Sequence, residues 1–263
     1  ARELLRNFPN QGLARYSRPL AGAWIQAGTG DFEGAIKLLK PLSNENGFVS
    51  LMNLHMALLN EQAGNFLESD KIYKKAMGKI DEAPLRLLRA RGAFLERRDR
   101  KDEARKLYES YLKINPASYL IGYELRRLQE NRSVRSIADD IISGFAEGMF
   151  NLASALPVSR VGAAALLYAR IATYLKPDFP VAQLLMGDIL DSSGRHGDSI
   201  EIYKLIGKET SYSWLARLKM AENLNMTGRL DEAKDLLEAM ARERPAQTDP
   251  LVRLGSFLRL KED

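Results

Sequence analysis

Few residues in this chain could do covalent or redox chemistry. Its 263 residues include no cysteine and two histidines, His55 and His196. That removes disulfides, thiolate nucleophiles and cysteine-ligated zinc. It also leaves no ordinary catalytic triad, because the two histidines fall in unrelated segments. Asp139 and Asp140 are adjacent, and Asp188 and Asp191 are three apart. Charged helices produce such spacings by themselves, and no oxygen-rich calcium loop accompanies them. Gly28-Thr29-Gly30 is only superficially a phosphate loop, since no Lys-Ser/Thr follows it and no strand pattern precedes it. What remains is a basic stretch with Arg86, Arg89, Arg97, Arg98, Arg100, Lys101 and Arg105. Guanidinium groups can grip carboxylates bidentately, a peptide C-terminus included. Glu96, Asp99, Asp102 and Glu103 are interleaved with it and read as surface ion-pair partners, which leaves Arg86 and Arg89 as binding candidates. The chemistry available is that of binding: no catalytic residue, cofactor or metal is expected.

The composition agrees with a folded binding protein. Lys and Arg total 39 against 34 Asp and Glu, a net charge of +5, and 45% of residues are hydrophobic. This excludes disorder, collagen and membrane-span classes, and no run of eighteen apolar residues offers a transmembrane helix. The modest positive charge does not demand nucleic acid. The chain starts on Ala1 without a signal-peptide pattern, and the absence of thiols fits either a reducing or an oxidising compartment.

The elements that must position these side chains are set by an internal period. Gly28-Thr29-Gly30-Asp31-Phe32-Glu33-Gly34-Ala35, Ala63-Gly64-Asn65-Phe66-Leu67-Glu68-Ser69, Gly194-Arg195-His196-Gly197-Asp198-Ser199 and Gly228-Arg229-Leu230-Asp231-Glu232-Ala233 share one grammar. From Gly30 to Gly64 and from Gly194 to Gly228 the step is 34 residues, as it is along Ala153, Gly187, Ala221 and Gly255. Between these marks the apolar spacing is helical, as in Leu215, Leu218, Ala221 and Leu224.

This pattern resembles the tetratricopeptide repeat, a helix-turn-helix unit of 34 residues. Small residues are needed where the two helices cross. Ala23, Ala57, Gly92, Ala153, Gly187, Ala221 and Gly255 fill that slot on the first helix, and Ala35, Ser69, Ala104, Ala165, Ser199 and Ala233 on the second. A turn glycine ends the first helix, and Pro116, Pro177 and Pro245 end the second. The expected fold is all-α, a right-handed superhelical solenoid of such hairpins. Repeats fall at 16–49, 50–83, 85–118, 146–179, 180–213 and 214–247, with a lone helix at 248–260. Residues 119–145 fit no repeat and read as an irregular helical joint: Asn131-Arg132-Ser133-Val134-Arg135 interrupts a helix at 120–128, and Ile137–Phe150 reads as an irregular second helix. The expected organisation is an N-terminal half at 1–118, the joint, and a C-terminal half at 146–263. The phase of Pro9 and Leu4 makes the first residues half a hairpin, so the chain reads as a segment of a longer protein.

Stretches such as Ala146–Leu156 and Leu175–Leu185 are similar to long tetratricopeptide proteins of alphaproteobacteria, many exported or lipid-anchored. The resemblance implies a bacterial periplasmic or membrane-associated protein, with the cytoplasm as alternative. It implies a scaffold or adaptor binding a protein or peptide on its concave face, by analogy of architecture a protease or envelope-assembly complex. On the phase of the repeat, that face holds Leu20, Trp24, Leu51, Leu54, His55 and Leu58, then Arg86 and Arg89, and farther on Asp188, Asp191, Lys219 and Glu222. The apolar stripe exceeds what a solvated surface needs, so it is either a docking groove or a face that other repeats or the chain's own tail cover. The Lys and Asn pattern of a terminal-carboxylate clamp is absent. Two alternatives are a structural, self-assembling module and an RNA-binding helical repeat; the second lacks a per-repeat code and stacking aromatics.

Overall fold

The computed structural model describes residues 11–45 and 47–262, and the half-hairpin expected around Leu4 and Pro9 lies outside them. Among the described residues there are fourteen α-helices and no strand. Three hairpins come first: α1 (Ala14–Ala27) with α2 (Phe32–Leu39), α3 (Val49–Gln62) with α4 (Phe66–Met77), and α5 (Leu85–Arg97) with α6 (Lys101–Ile114). Then follow α7 (Tyr119–Gln129), α8 (Ile141–Ala155) and α9 (Val158–Leu175). The last helices are α10 (Pro180–Ser192), α11 (His196–Lys204), α12 (Ser213–Met226), α13 (Leu230–Glu243) and α14 (Asp249–Glu262). The chain divides into two compact units, one running to Ala155 and including Tyr174–Lys176, the other made of Leu156–Thr173 and the residues from Pro177 onward. Each is all-α and built on helical hairpins.

The small slots explain why the helices pair as they do. Ala23, Ala57, Ala35 and Ala104 are fully buried at the crossings. Where the second helix carries serine, its hydroxyl ties the crossing together: Ser69 Oγ donates to the Ala57 carbonyl at 3.0 Å and Ser199 Oγ to the Gly187 carbonyl at 2.8 Å. One turn farther along stands a tyrosine whose hydroxyl reaches back to a carboxylate on the first helix, as in Tyr73 to Glu61 (2.6 Å), Tyr108 to Glu96 (2.9 Å) and Tyr203 to Asp188 (2.6 Å). A Cβ at Gly92 or Gly187 would overlap the Tyr108 or Tyr203 ring. Glycine in those two places is what lets the ring lie flat on the helix backbone.

The turns are equally regular. Gly64, Gly194 and Gly228 have φ of 77°, 72° and 76°, and the next N–H bonds back to the first helix, as in Arg195 N to Leu190 O (2.9 Å) and Arg229 N to Leu224 O (2.8 Å). In the third hairpin Asp99 takes this place with φ 59°, and Arg100 N bonds to Leu95 O at 2.9 Å. Helix α7 ends the same way on Asn131, φ 54°, but the chain then runs irregularly to Asp140. The helix that follows begins at Ile141 and continues through Phe150 to Ala155. It packs on α1 and α3 and belongs to the first unit.

A left-handed conformation costs a residue with a Cβ roughly 1–2 kcal/mol, less for aspartate. Asp99→Gly is therefore expected to raise stability by about 0.5–1 kcal/mol, read as a higher denaturant midpoint at unchanged slope.

Candidate helix-binding face

The first helices of the hairpins in the N-terminal unit form its candidate binding face, and α8 lies on it. Trp24 and Leu20 on α1, and His55, Leu54 and Leu58 on α3, are all buried, as is Leu51. Gly144 and Gly148 of α8 are where the helices meet. A Cβ on Gly144 would overlap the Trp24 ring, and Gly148 stands beside Leu20 and the His55 imidazole. Glycine inside a helix costs about 1 kcal/mol against alanine; Gly144 lets the indole press on the backbone, whereas a Cβ at Gly148 would make only ordinary contacts with Leu20 and the imidazole. Asp140 caps the helix, its Oδ1 accepting from Ser143 N at 2.6 Å. That hydrogen bond, outweighing desolvation, holds the Asp140 carboxyl below the usual range. The adjacent pair Asp139 and Asp140 thus contributes a helix cap.

One buried polar contact lies beneath α8 and a second ties α8 itself to the face. Trp24 Nε1 donates to His55 Nδ1 at 3.0 Å. Glu147, with no exposed side-chain surface, forms a two-point ion pair with Arg86, whose Nε donates at 2.8 Å. Burial works to raise the Glu147 carboxyl, but Arg86 outweighs it and holds it below its ordinary value. Burial lowers His55 to about 4, against a smaller opposing pull from Glu147. Arg89 is engaged too, with Nε on Glu124 Oε1 at 3.0 Å. Glu124 also meets Arg127 at 3.1 Å, and Arg127 Nη1 reaches Glu96 Oε2 at 2.8 Å. A buried ion pair is a weak source of stability, and this one serves to specify position.

The basic stretch resolves largely into pairs: Arg97 with Glu61, Arg100 with Glu103 and Asp70, and Arg105 with Asp102. Glu61 is raised, mainly by burial, with Arg97 and the Tyr73 hydroxyl opposing.

In the second unit the corresponding slots carry charges. Lys219 on α12 meets Asp188 on α10 at 3.0 Å, and Arg253 on α14 meets Glu222 on α12. Asp191 accepts the contact of His196 Nδ1 at 2.8 Å. The spacing is the same as in the first unit. Trp24 and His55 are 31 residues apart, as are Glu222 and Arg253, one period less about one helical turn. Trp24 is fully buried, whereas the Asp188 and Glu222 side chains are 36% and 40% exposed.

Of the residues the sequence places on one face, Leu20, Trp24 and His55 lie against α8, Arg86 pairs with α8 and Arg89 with α7, and Leu51, Leu54 and Leu58 are buried. Sequence reasoning missed Glu147 as the partner of Arg86. The signal lay in the one charged residue of Ile141–Ala155, three residues after Gly144 and next to Gly148. Among the described residues no cluster of potential metal ligands occurs, and no helix is long and apolar enough to cross a membrane.

No protein-family model matches the chain, and no curated protein matches it. Among solved structures it is similar to a tetratricopeptide repeat protein from Parabacteroides merdae, at 15% identity and a TM-score of 0.37 over 94% of this chain and 87% of that one. It is also similar to a tetratricopeptide protein of Thermus thermophilus, at 17% and 0.35 over 80% and 99%. A third is Naa15/Naa10 bound to HypK-THB, at 17% and 0.33 over 93% of this chain; the chain spans 39% of that one. The fold is that of tetratricopeptide-type helical hairpins, carried here by the crossing slots, turns and inner-face pairs described above.

Between about pH 6.5 and 4 an unfolded chain protonates His55 while the folded one does not. The His55 contribution is therefore complete above pH 6.5 and lost as pH falls toward 4. This amounts to on the order of 3 kcal/mol. His55→Gln, which keeps an acceptor for Trp24, is expected to flatten the denaturant midpoint across that window relative to wild type.

Proposed function

We propose that this protein is a protein-interaction scaffold whose recognition positions are the paired inner-face slots of successive first helices. The observation that carries the reading is the seating of α8: in the N-terminal unit these slots grip a helix through an aromatic pair and a buried ion pair. A face that holds one helix by shape and a single charge has the properties of a helix-binding groove.

In the second unit the same slots hold Asp188, Lys219, Glu222 and Arg253, partly exposed. On this reading they receive the partner, a protein segment whose own charges alternate in sign so that each inner-face pair can exchange contacts with it. Charge of this kind sets specificity and on-rate more than affinity. Nothing in the constellation activates a nucleophile or a water, so the scaffold is read as non-enzymatic.

A second reading, self-assembly, has its own support in α14, where Leu251, Val252 and Leu258 are 55%, 64% and 42% exposed. Contiguous exposed apolar groups of this sort mark association surfaces.

The test reverses the inner-face charges. Asp188→Lys with Glu222→Lys is expected to abolish recovery of partners captured by the wild-type chain from its native cells, at unchanged circular dichroism. If both baits recover the same proteins, the inner face of the second unit is not the recognition surface. If only copies of the chain are recovered, with a mass that rises with concentration, the self-assembly reading takes its place.

A further inference from the structure

The irregular segment after α7 closes over the N-terminal unit and leaves two adjoining hollows. One, of about 510 Å3, is lined by residues including Glu61, Phe66, Arg97, Arg98 and Arg135. The other, of about 230 Å3, is lined by Glu96, Arg97, Lys101, Arg132 and others. The larger lies in the size range of binding pockets. Gln62 Nε2 fastens the segment by donating to the Ala138 carbonyl at 2.7 Å.

The charges around these hollows divide unequally. Both Glu61 oxygens are engaged, one by Tyr73 and the other by Arg97. Both Glu96 oxygens are engaged as well, by Tyr108 and Arg127. Two of the cations are engaged as well, Arg97 with Glu61 and Arg132 with Glu130, but among the described residues Arg98, Arg135 and Lys101 are not so paired. Arg98 is exposed and lies over the Phe66 ring with its guanidinium carbon 3.9 Å from the centroid. Stacking of that kind leaves the N–H edge open to an oxyanion. Among the described residues Arg135 has no carboxylate partner, and Lys101 reaches only the Asn131 amide at 3.5 Å. One further carboxylate, Asp139, lines the larger hollow and is exposed. With Glu61 and Glu96 already satisfied, the hydrogen-bonding capacity left over is that of guanidinium and ammonium donors beside an aromatic surface.

We infer that this hollow is a binding site for an oxyanion carried on a peptide, a carboxylate or a phosphate, held by Arg98 and Arg135 with Lys101 at its margin and Phe66 beneath. Bidentate guanidinium contacts suit both anions. The site shares no residue with the inner-face slots on which the proposed scaffold function rests, so either can fail without the other.

The test uses the full chain and a fluorescein-labelled twelve-residue peptide of alternating Glu and Ser, its phosphoserine form, a Lys-for-Glu control peptide and inorganic phosphate as competitor. Fluorescence anisotropy at fixed salt is expected to detect binding of an anionic peptide and not of the lysine control. Arg98→Ala with Arg135→Ala is expected to weaken that binding at least tenfold. Arg195→Ala with Arg229→Ala, which removes the same charge from exposed arginines of the second unit, should leave it unchanged. Both pairs are surface substitutions, and thermal unfolding checks that the fold persists. Binding of the glutamate peptide identifies a carboxylate ligand, whereas binding of the phosphoserine form alone, competed by phosphate, identifies a phosphate. Equal loss in both double variants would reduce the effect to net charge and overturn the proposal, as would the absence of binding by every anionic probe at millimolar concentration.

Discussion

The close approach of two helix backbones within each hairpin is the constraint on which everything else depends. It is possible only because a side chain of one carbon or none stands at each crossing, and it fixes the hairpin's register to within a residue. With the register fixed, the second-helix tyrosines reach their carboxylates, and Ser69 and Ser199 reach the carbonyls across from them. The first helices are then stacked at one repeat spacing, so that a residue on one meets the residue 31 positions later on the next. The inner face is thus a row of paired slots whose geometry is set by the residues at the hairpin crossings.

The two units fill those slots with different chemistry. An indole against an imidazole is nearly apolar, and water is excluded from it only if something lies on top. Helix α8 does so, at the cost of a helical glycine at position 144 and a buried carboxylate that Arg86 must neutralise. The ion pairs of the second unit need no such cover, because a charge pair at the surface is already solvated and contributes little to stability. The same frame therefore yields a sealed contact in one place and a solvated one in the other, which is how repeat proteins derive separate specificities from a common backbone.

Most of the fold was legible in the sequence because crossings and turns constrain residue size and backbone conformation locally. Glycine and alanine at a fixed period are direct records of those constraints, and even Asp99, in a turn without glycine, belonged to a polar run able to cap. What α8 does was not legible. Its small residue Ala153 satisfies the repeat pattern, and Gly144 and Gly148 look like helix irregularities until the Trp24 ring is known to lie against one of them. The face of Leu20, Trp24 and Leu54 was readable from phase, but its occupant is set by a contact across more than a hundred residues. Arg86 and Arg89 likewise read as groove cations, whereas their partners are Glu147, just past the segment that follows no repeat, and Glu124, inside it.

The account turns on α8 being seated on α1, and the absence of native cysteine makes that directly testable. A Cβ at position 148 stands 3.8 Å from the Cβ of Leu20, the mean separation for a disulfide. Leu20→Cys with Gly148→Cys should therefore oxidise to a single intrachain bridge in the folded monomer, raising the unfolding temperature above that of its reduced form. Failure to form the bridge in a natively folded chain, or its appearance only between chains, would contradict the account.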